Sequence, residues 1–366
     1  MKSNYDILGN HIRLIDTRNR ESITDRVLGI NIDKFFMPSV ANVIGTDLSK
    51  YKLITKGKFA CNPMHVGRDE RLPVALYDEE EPAIVSPAYF MFEVVDNSIL
   101  NEDYLMMWFR RPEFDRICWL HTDGSVRGGI TWDDICRLEL PIPPIEKQLE
   151  IVNSYKAITE RIALKKKIND NLDATIYAKF QDMFQKNKEI LFSGEQLEDW
   201  CIKPLSFLAD FKYGKMATSE ILCEKGFPVY SGYRTVGYCN KYMFKEPQLV
   251  VLARGVSGTG EVRISPPCCH LTNLSIAVLL YDRTYINYLL YYLENDNLIS
   301  LDSGSAQSQI TINDLSMHKV MLPPYSKVVE FDNIAKQLRS IIDENNKEIE
   351  VLEELKKVLL TTISSR

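Results

Sequence analysis

The sequence predicts an α+β protein in which two mixed α/β domains are separated by two long helices that pair as an antiparallel coiled coil. Two observations lead to this fold class: an internal repeat, and a heptad pattern that follows each copy of it. The copies are offset by 180 positions without a gap, so Gly124 falls on Gly304 and Ile130 falls on Ile310. Because this period is far longer than a solenoid repeat, we expect one fold made twice, related by a pseudo-twofold axis.

Each copy ends in a long segment with heptad spacing. One seam of mainly apolar residues runs through residues 151–183, and the equivalent seam runs through residues 331–363. A helix of about 40 residues reaches on the order of 60 Å and cannot bury such a seam alone, so we expect the two helices to pair. Asn169 and Asn345 fall in the seams near mid-helix, where a buried amide fixes register and partner. The alternative is that each helix packs on a separate core.

These patterns divide the chain into two globular domains and two helical spacers. The predicted segments are a first domain over residues 1–142, a central helix over 143–190, a second domain over 191–322 and a C-terminal helix over 323–366. Short apolar runs bounded by turn residues predict strands in both domains. The loop sequences of the two domains differ much more than their frameworks do, which is typical of one scaffold that carries two different binding surfaces.

A pair of prolines precedes each long helix. The first helical turn tolerates proline, so Pro143-Pro144 and Pro323-Pro324 are interpreted as rigid helix starts. The tetrapeptide Leu322-Pro323-Pro324-Tyr325 is close to the Asn-Pro-Pro-Tyr motif of amino methyltransferases. Leu322 stands where that motif needs the asparagine that bonds the target amine, so we do not expect methyl transfer here.

Composition indicates a globular protein without a membrane segment. The hydrophobic content is 45% and the charged content is 26%, both ordinary values, and no run of 18 apolar residues or N-terminal signal core is present. We therefore expect a cytoplasmic protein. The eight cysteines form no CxxC pair, so free thiols are expected. A metal site at Cys268-Cys269-His270 is a remote alternative, because consecutive strand residues point to alternate faces.

No catalytic or cofactor motif is present. The glycine-rich stretch 255–260 is not followed by Gly-Lys-Ser/Thr and opens no helix pattern, which argues against a phosphate loop. The five histidines form no HExxH motif, and there is no GxSxG. We therefore expect a binding protein with no catalytic residue, no metal and no cofactor of its own.

The charge distribution restricts any DNA contact to local patches. The formal net charge is −6, with −5 in residues 1–142 and −2 in residues 191–322. A chain with this balance does not bind nucleic acid indiscriminately. Acidic runs such as Asp78 to Glu81 must then face away from the DNA.

Two groups of loop residues are candidates for DNA contacts. Both combine basic or aromatic side chains with glycines, which let the backbone approach a duplex closely. Arginine presents a planar fork to guanine or phosphate, and asparagine can pair with adenine. The alternative is that they are solvated loop charges and structural turns. The candidate DNA-binding residues are Lys58, Asn62, Arg68, Arg71 and Arg127 in the first domain, and Tyr230, Tyr233, Arg234, Arg254 and Ser257 in the second.

The whole chain resembles the specificity subunits of type I restriction-modification systems. The resemblance depends on the order and duplication of short motifs, each weak alone. These are Ile84-Val85-Ser86-Pro87-Ala88-Tyr89, the stretch from Pro228 to Tyr238, Val251-Leu252-Ala253-Arg254-Gly255 with Gly258, Leu271-Thr272-Asn273, and Pro143-Pro144-Ile145-Glu146-Lys147-Gln148. The second helix departs from the pattern, because Val328 stands where the first copy has Gln148.

The resemblance implies that each domain is a target-recognition domain that reads one half of a split, asymmetric DNA site. The helix pair would fix the gap between the halves and dock two adenine-N6 methyltransferase subunits, which restriction subunits join. The chain itself would hold neither S-adenosylmethionine nor ATP. The expected spacer and partner-docking residues are Pro143, Pro144, Gln148, Asn169, Pro323, Pro324 and Asn345.

Two other functions remain open. The first is a self-contained DNA methyltransferase or fused restriction enzyme, which would bind S-adenosylmethionine or methylate DNA unaided. The second is a coiled-coil scaffold that assembles proteins without touching DNA. Neutralising Arg68, Arg71, Arg234 and Arg254 would leave DNA association intact if the scaffold were correct.

Overall fold

The computed structural model describes residues 5–41, 43–64, 66–122, 128–193, 197–255, 258–301 and 309–363. The strands of the first domain, domain 1, are β1 (Tyr5–Ile7), β2 (Ile12–Leu14), β3 (Val27–Ile30), β4 (Phe36–Pro38), β5 (Lys52–Ile54), β6 (Phe59–Cys61), β7 (Val74–Leu76), β8 (Ala83–Val85), β9 (Phe90–Val94) and β10 (Glu139–Pro141). Its helices are α1 (Val66–Asp69), α2 (Glu102–Phe109), α3 (Pro112–Leu120) and α4 (Trp132–Cys136).

The second half of the chain follows the same order of elements. The first long helix is α5 (Ile145–Phe180), which continues through a π-helical turn at Gln181–Gln185 into α6 (Lys186–Phe192). The strands of domain 2 are β11 (Cys201–Pro204), β12 (Ala209–Tyr213), β13 (Leu222–Cys223), β14 (Phe227–Tyr230), β15 (Thr235–Cys239), β16 (Leu249–Leu252), β17 (Val262–Ile264), β18 (His270–Leu271), β19 (Ser275–Leu280) and β20 (Lys319–Leu322). Its helices are α7 (Tyr285–Asn295) and α8 (Ile312–Met317), and the chain continues into α9 (Tyr325–Thr362).

The two domains share one sheet topology. One four-stranded sheet has the order β2-β9-β6-β7 in domain 1 and β12-β19-β16-β17 in domain 2, so equivalent strands occupy equivalent places. The second sheet of each domain contains a parallel pair with an antiparallel neighbour: β3 with β8 and β4, and β14 with β18 and β15. The fourth strand differs, because β5 is added to β8 whereas β13 is added to β15. The α+β fold class and the internal repeat are confirmed.

The first and last strands of each domain pair with one another. β1 is antiparallel to β10, and β11 is antiparallel to β20. A buried tyrosine from α2 or α7 reinforces each pair: the Tyr104 hydroxyl donates to the Pro141 carbonyl at 3.1 Å, and the Tyr288 hydroxyl donates to the Met321 carbonyl at 2.7 Å. Both chain ends of each domain therefore meet beside the start of a long helix.

The long helices begin directly after the proline pairs. The Pro144 carbonyl accepts from the amides of Lys147 and Gln148, and the Pro324 carbonyl accepts from those of Lys327 and Val328. Pro143 and Pro323 precede these carbonyls, in agreement with the tolerance of a helix start for proline. Each proline pair thus ends its domain and starts the long helix that follows.

The heptad seams are confirmed by burial. Every residue of both predicted seams is buried or half-buried. The seam positions are Ile151, Tyr155, Ile158, Ile162, Lys165, Asn169, Leu172, Ile176, Lys179 and Met183 on the first helix, and Phe331, Ala335, Leu338, Ile342, Asn345, Ile349, Leu352, Lys356, Leu359 and Ile363 on the second. Leu164 at 59% and Val351 at 67%, which lie outside the seams, are exposed.

The chain forms two compact units, and each contains one domain with the adjoining parts of both long helices. The first unit contains residues 1–165 and 347–366, so its boundaries cut through the helices. Within it the helices run antiparallel: Arg161 and Lys165 lie 2.5 and 2.7 Å from the Glu348 carboxylate, and Lys356 lies over the ring of Tyr155. The end of α9 therefore packs on domain 1, where Ile363 joins the main core.

The second unit contains residues 166–346 and shows the same antiparallel pairing. The Asn345 amide donates to the Asn169 side chain at 2.8 Å, and the Asn169 amide donates to Asn346 at 2.9 Å. Phe180 and Phe331 pack in the core of this unit with ring centroids 5.9 Å apart. The two seam amides are thus satisfied by facing amides, which is how a buried polar pair specifies register.

Gln148 has an internal role. Its side chain is fully buried, and its amide donates to the carbonyls of Ile99 and Pro143 at 2.8 Å each. Its carbonyl accepts from the amide of Asn101, the N-cap of α2, at 2.9 Å. Gln148 therefore fixes the start of α5 to domain 1, and its side chain is inaccessible to a docking partner.

Among the described residues, no helix is long and apolar enough to cross a lipid bilayer. A half-buried acidic residue, Asp296, lies at a polar junction of the second unit. Its carboxylate is 2.7 Å from Nε2 of His318 and also bonds Lys188. Burial alone would raise the pKa of Asp296, but the hydrogen bonds from His318 and Lys188 lower this pKa below its ordinary value.

We predict that Gln148→Leu lowers the free energy of unfolding by about 3 kcal/mol, because it leaves buried backbone groups unpaired. Leu149→Gln, a change at the exposed neighbouring position, should shift it by less than about 0.5 kcal/mol. Chemical denaturation followed by circular dichroism measures both. Equal effects of the two variants would contradict the internal role of Gln148.

We also predict that Asp296 makes stability depend on pH. Because its folded pKa lies below 3.8, its contribution is present above the unfolded pKa and is lost as the pH falls through the folded value. The difference in unfolding free energy between the wild type and Asp296→Asn should therefore shrink as the pH is lowered from 6 towards about 3. A difference that stays constant over this range would refute the assignment.

Candidate nucleic-acid interface

Three connections between strands meet at one edge of domain 1. Because β3 and β8 are parallel, their carboxyl ends, which lead into residues 31–35 and 86–89, lie at the same edge. The antiparallel pairing of β6 with β9 places Cys61 opposite Phe90 and brings the connection over residues 62–73 to that edge. We call these three connections the loop edge of domain 1.

Domain 2 has the same arrangement. Its parallel pair β14 and β18 leads into residues 231–234 and 272–274, and Leu252 at the end of β16 lies opposite Ser275. The described parts of the next connection, residues 253–255 and 258–261, therefore join the other two at this edge. Lys215 lies there as well, because Tyr213 at the end of β12 is opposite Ile276. Together these residues form the loop edge of domain 2. The two loop groups that the sequence analysis selected thus include equivalent connections.

In each domain, two of the loops contact one another. The Arg71 guanidinium lies 2.9 Å from the Asp33 carboxylate in domain 1. In domain 2, the hydroxyl of Tyr233 occupies the space beside Gly258, where an added Cβ would lie 1.4 Å from it. Gly258 also has a φ of +93°, so glycine is required for both space and backbone conformation. The same loop contact is therefore an ion pair in one domain and an aromatic contact in the other.

The turn Leu271–Ser275 organises the loop edge of domain 2. The Leu271 carbonyl accepts from the amide of Lys215 at 2.8 Å, and the Leu274 carbonyl accepts from the amide of Arg254 at 3.2 Å. The buried Ser275 hydroxyl donates to the carbonyl of Ser231 at 3.0 Å and so holds the loop that carries Arg234. Three basic residues from three connections are thereby anchored to one turn.

The predicted residues of domain 2 fall into two groups. Arg234 and Arg254 are exposed, and neither guanidinium has a hydrogen-bond or ion-pair partner among the described residues. Tyr233 is 43% exposed, and partial desolvation together with the nearby Glu261 carboxylate raises its pKa, so its hydroxyl remains protonated. Tyr230 is buried in a small core with Phe244 and supports the edge from inside. Ser257 lies outside the described residues.

The predicted residues of domain 1 are less accessible to DNA. Lys58 lies at the opposite end of β6 from the loop edge and forms an ion pair with Glu93. The Asn62 side chain accepts from the amide of Met64 at 3.1 Å and stabilises the turn. Arg71 is at the loop edge but is paired with Asp33. Arg127 and the side chain of Arg68 lie outside the part of the chain that the structure describes.

Three residues of the loop edge were not among the predicted site residues. Lys215 is exposed after β12, Asn273 is half-buried, and the Thr272 hydroxyl is buried without a hydrogen-bond partner in the described structure. Leu271-Thr272-Asn273 carried part of the family resemblance, which was a usable signal for Thr272 and Asn273. Nothing in the sequence around Lys215 indicated that its strand ends at this edge.

The described residues contain no group of three or more His, Cys, Asp or Glu side chains that could hold a metal ion. The loop edges instead offer hydrogen-bond donors, cations and close backbone approach. These features suit recognition of an extended polar surface by two domains that are carried on paired helices.

Comparisons with known proteins show similarity to one family in sequence and in fold. Residues 197–356 match the family model described as the type I restriction modification DNA specificity domain. The putative type I restriction enzyme MjaX specificity subunit of Methanocaldococcus jannaschii is 24% identical over 392 positions, covering 99% of this chain and 88% of that relative. The MjaVIII specificity subunit of the same organism is 25% identical over 268 positions, covering 62% of this chain and 61% of that relative.

A solved structure shows the same fold. The type I restriction-modification system S subunit from M. genitalium aligns with a TM-score of 0.65 and 18% identity, covering 100% of this chain and 97% of that one. The chain is therefore similar in sequence and in fold to type I restriction-modification specificity subunits, and the resemblance predicted from the sequence is confirmed.

We predict that Gly258→Ala destabilises the loop edge of domain 2 by about 1–3 kcal/mol, because a Cβ would displace Tyr233 and strain the backbone. Gly237→Ala is the matched control, since a Cβ there meets nothing within 4 Å and its φ is not positive. Thermal unfolding of both variants measures the difference. The contact between Tyr233 and Gly258 would be unsupported if the two variants unfolded at the same temperature.

Proposed function

We propose that the chain is the DNA-specificity subunit of a type I restriction-modification complex. Each domain reads one half of a bipartite, asymmetric site in double-stranded DNA through its loop edge. The paired helices set the gap between the halves and dock two adenine-N6 methyltransferase subunits, which restriction subunits join. This function requires a cytoplasmic location, because the DNA lies there.

The observation that carries the proposal is the repetition of one framework with two different loop edges. The sheets, the closing strand pairs and the helix starts are equivalent in both domains. The loop contacts are not, since Arg71 pairs with Asp33 whereas Tyr233 packs on Gly258. Two frameworks of one kind with different surfaces suit a protein that reads two different sequences.

The side chains at the loop edge of domain 2 have the chemistry of base and phosphate recognition. An exposed arginine without an acidic partner, such as Arg234 or Arg254, can bond guanine in the major groove or a phosphate. Asn273 can offer both a donor and an acceptor to adenine. Tyr233 keeps its proton and can donate to a phosphate oxygen.

Exposed apolar residues on the helices support the docking role. Val351, Leu355 and Val358 recur at helical spacing on α9 and are 67%, 45% and 54% exposed. They lie outside the seam that packs on α5. A helix that keeps a second apolar stripe in water has a surface suited to helices of a partner subunit.

The test is a genome-wide map of N6-methyladenine in cells that contain the methyltransferase subunits. We predict that a split motif disappears when this gene is deleted and returns with the wild-type chain. A variant lacking residues 158–164 and 347–353, which face one another across the Arg161–Glu348 bond, should methylate the same two halves with a different gap. Removing seven residues shortens each helix by about 10 Å, or about three base pairs of DNA.

The matched control removes residues 158–164 alone. This deletion keeps the heptad phase but leaves one helix seven residues shorter than the other, so the two seams no longer pair over their full length and the motif should be lost rather than respaced. An unchanged gap after the double deletion would contradict the role of the helices as a spacer. A motif that survives deletion of the gene would contradict the specificity function itself.

A further inference from the structure

The two domains differ in how their basic side chains are paired. In domain 1, eleven of the fourteen basic side chains that the structure describes lie within 4.0 Å of a carboxylate. Residues 197–322, which belong to domain 2, contain eleven basic side chains. Among the described contacts, only Arg263 of these lies within 4.0 Å of a carboxylate. The paired side chains of domain 1 are Arg13, Arg18, Arg26, Lys34, Lys50, Lys52, Lys56, Lys58, Arg71, Arg111 and Arg137.

The pairing in domain 1 reaches its loop edge. Arg71, a predicted DNA contact at this edge, is bonded to Asp33 at 2.9 Å. Lys34 on the same loop is buried at 4% exposure and lies 2.7 Å from Asp115. A cation with a carboxylate at this distance presents almost no net charge to an approaching phosphate. The described charged residues of this edge are Asp33, Lys34, Asp69, Glu70 and Arg71, so the edge carries no excess of positive charge among them.

The loop edge of domain 2 keeps its charge. Lys215, Arg234 and Arg254 are exposed and have no carboxylate within ion-pair distance in the described structure. All three are anchored through the turn Leu271–Ser275, by the hydrogen bonds given above. Their positive charges therefore lie on loops that converge at one edge rather than being dispersed over the domain.

Unpaired cations determine how strongly DNA binding depends on salt. Each phosphate that a free lysine or arginine neutralises releases condensed counterions, which adds about 0.9 to the slope of log affinity against log salt. A cation already compensated by a carboxylate releases few counterions, because the acid repels the phosphate. Affinity and its salt dependence should then follow the free cations.

We infer that the two domains contribute unequally to DNA binding: domain 2 supplies the electrostatic anchor through Lys215, Arg234 and Arg254, and domain 1 reads its half-site with little net charge. This inference rests on the proposed function, because it assigns the affinity of the same complex to one of its two loop edges. It predicts that the half-site under domain 2 is engaged first and that the other half adds mainly selectivity.

The experiment measures binding of the full chain to a labelled 40-base-pair duplex of mixed sequence by fluorescence anisotropy at stepped KCl concentrations. Such a duplex suffices because the electrostatic contribution is independent of sequence. Arg234→Gln with Arg254→Gln should lower the salt slope by about two. The matched pair in domain 1, Arg26→Gln with Arg71→Gln, should lower it by less than about 0.5, because both arginines are paired with acids.

A gain-of-charge variant sharpens the test. Asp33→Asn removes the partner of Arg71 and should raise the slope by about one, since it frees a cation at the loop edge of domain 1. Equal losses from the two arginine pairs, or an unchanged slope with Asp33→Asn, would overturn the inference while the specificity function stands. Absence of any salt-dependent binding by the wild-type chain would overturn both. Circular dichroism of each variant confirms that the fold is retained.

Discussion

The pairing of first and last strands is the constraint on which the architecture depends. In both domains the chain enters through a short strand and leaves through its antiparallel partner, which continues into a long helix. The hydroxyls of Tyr104 and Tyr288 lock these strands from inside by donating to the backbone of the exit strand. Because entry and exit are joined beside the helix, the loops at the far edge can change without disturbing the helix start. This is the physical basis for one framework with two surfaces.

The polar contacts that hold each domain to its helix show how such a framework tolerates change. In domain 1, Lys156 of α5 bonds Asp103 of α2 at 2.6 Å. In domain 2, the equivalent Lys336 lies 2.6 Å from Asp332 on its own helix, and Asp332 accepts from Asn287 of α7 at 2.8 Å. The carboxylate has moved from the domain to the helix, but the lysine and the link between the elements remain. The substitution of Val328 for Gln148 is similar, since a buried apolar contact replaces an amide.

The features predicted from the sequence are those that local periodicity determines. Heptad spacing fixed the seam residues, and the 180-residue offset located both proline-led helix starts, because these signals depend on neighbours along the chain. Electrostatic partners could not be predicted in this way. Lys34 and Asp115 are 81 positions apart, and nothing in either segment indicates that they meet in a partly buried pair. Because such long-range partners cannot be read from local sequence, Lys58 was predicted to contact DNA, whereas in the fold it forms an ion pair with Glu93.

The two loop edges differ in charge because equivalent pairs of loops are joined by different contacts. Where domain 1 joins two loops with the ion pair of Asp33 and Arg71, domain 2 joins them by placing Tyr233 on Gly258. An ion pair neutralises the charge of its arginine, whereas an aromatic contact leaves neighbouring cations such as Arg234 without an acidic partner. Loops that are joined by packing, as in domain 2, therefore leave their cations available to a ligand. Loops that are joined by an ion pair, as in domain 1, do not. The type of contact that joins two loops thus determines both the rigidity of a loop edge and the electrostatic potential that it presents to a ligand.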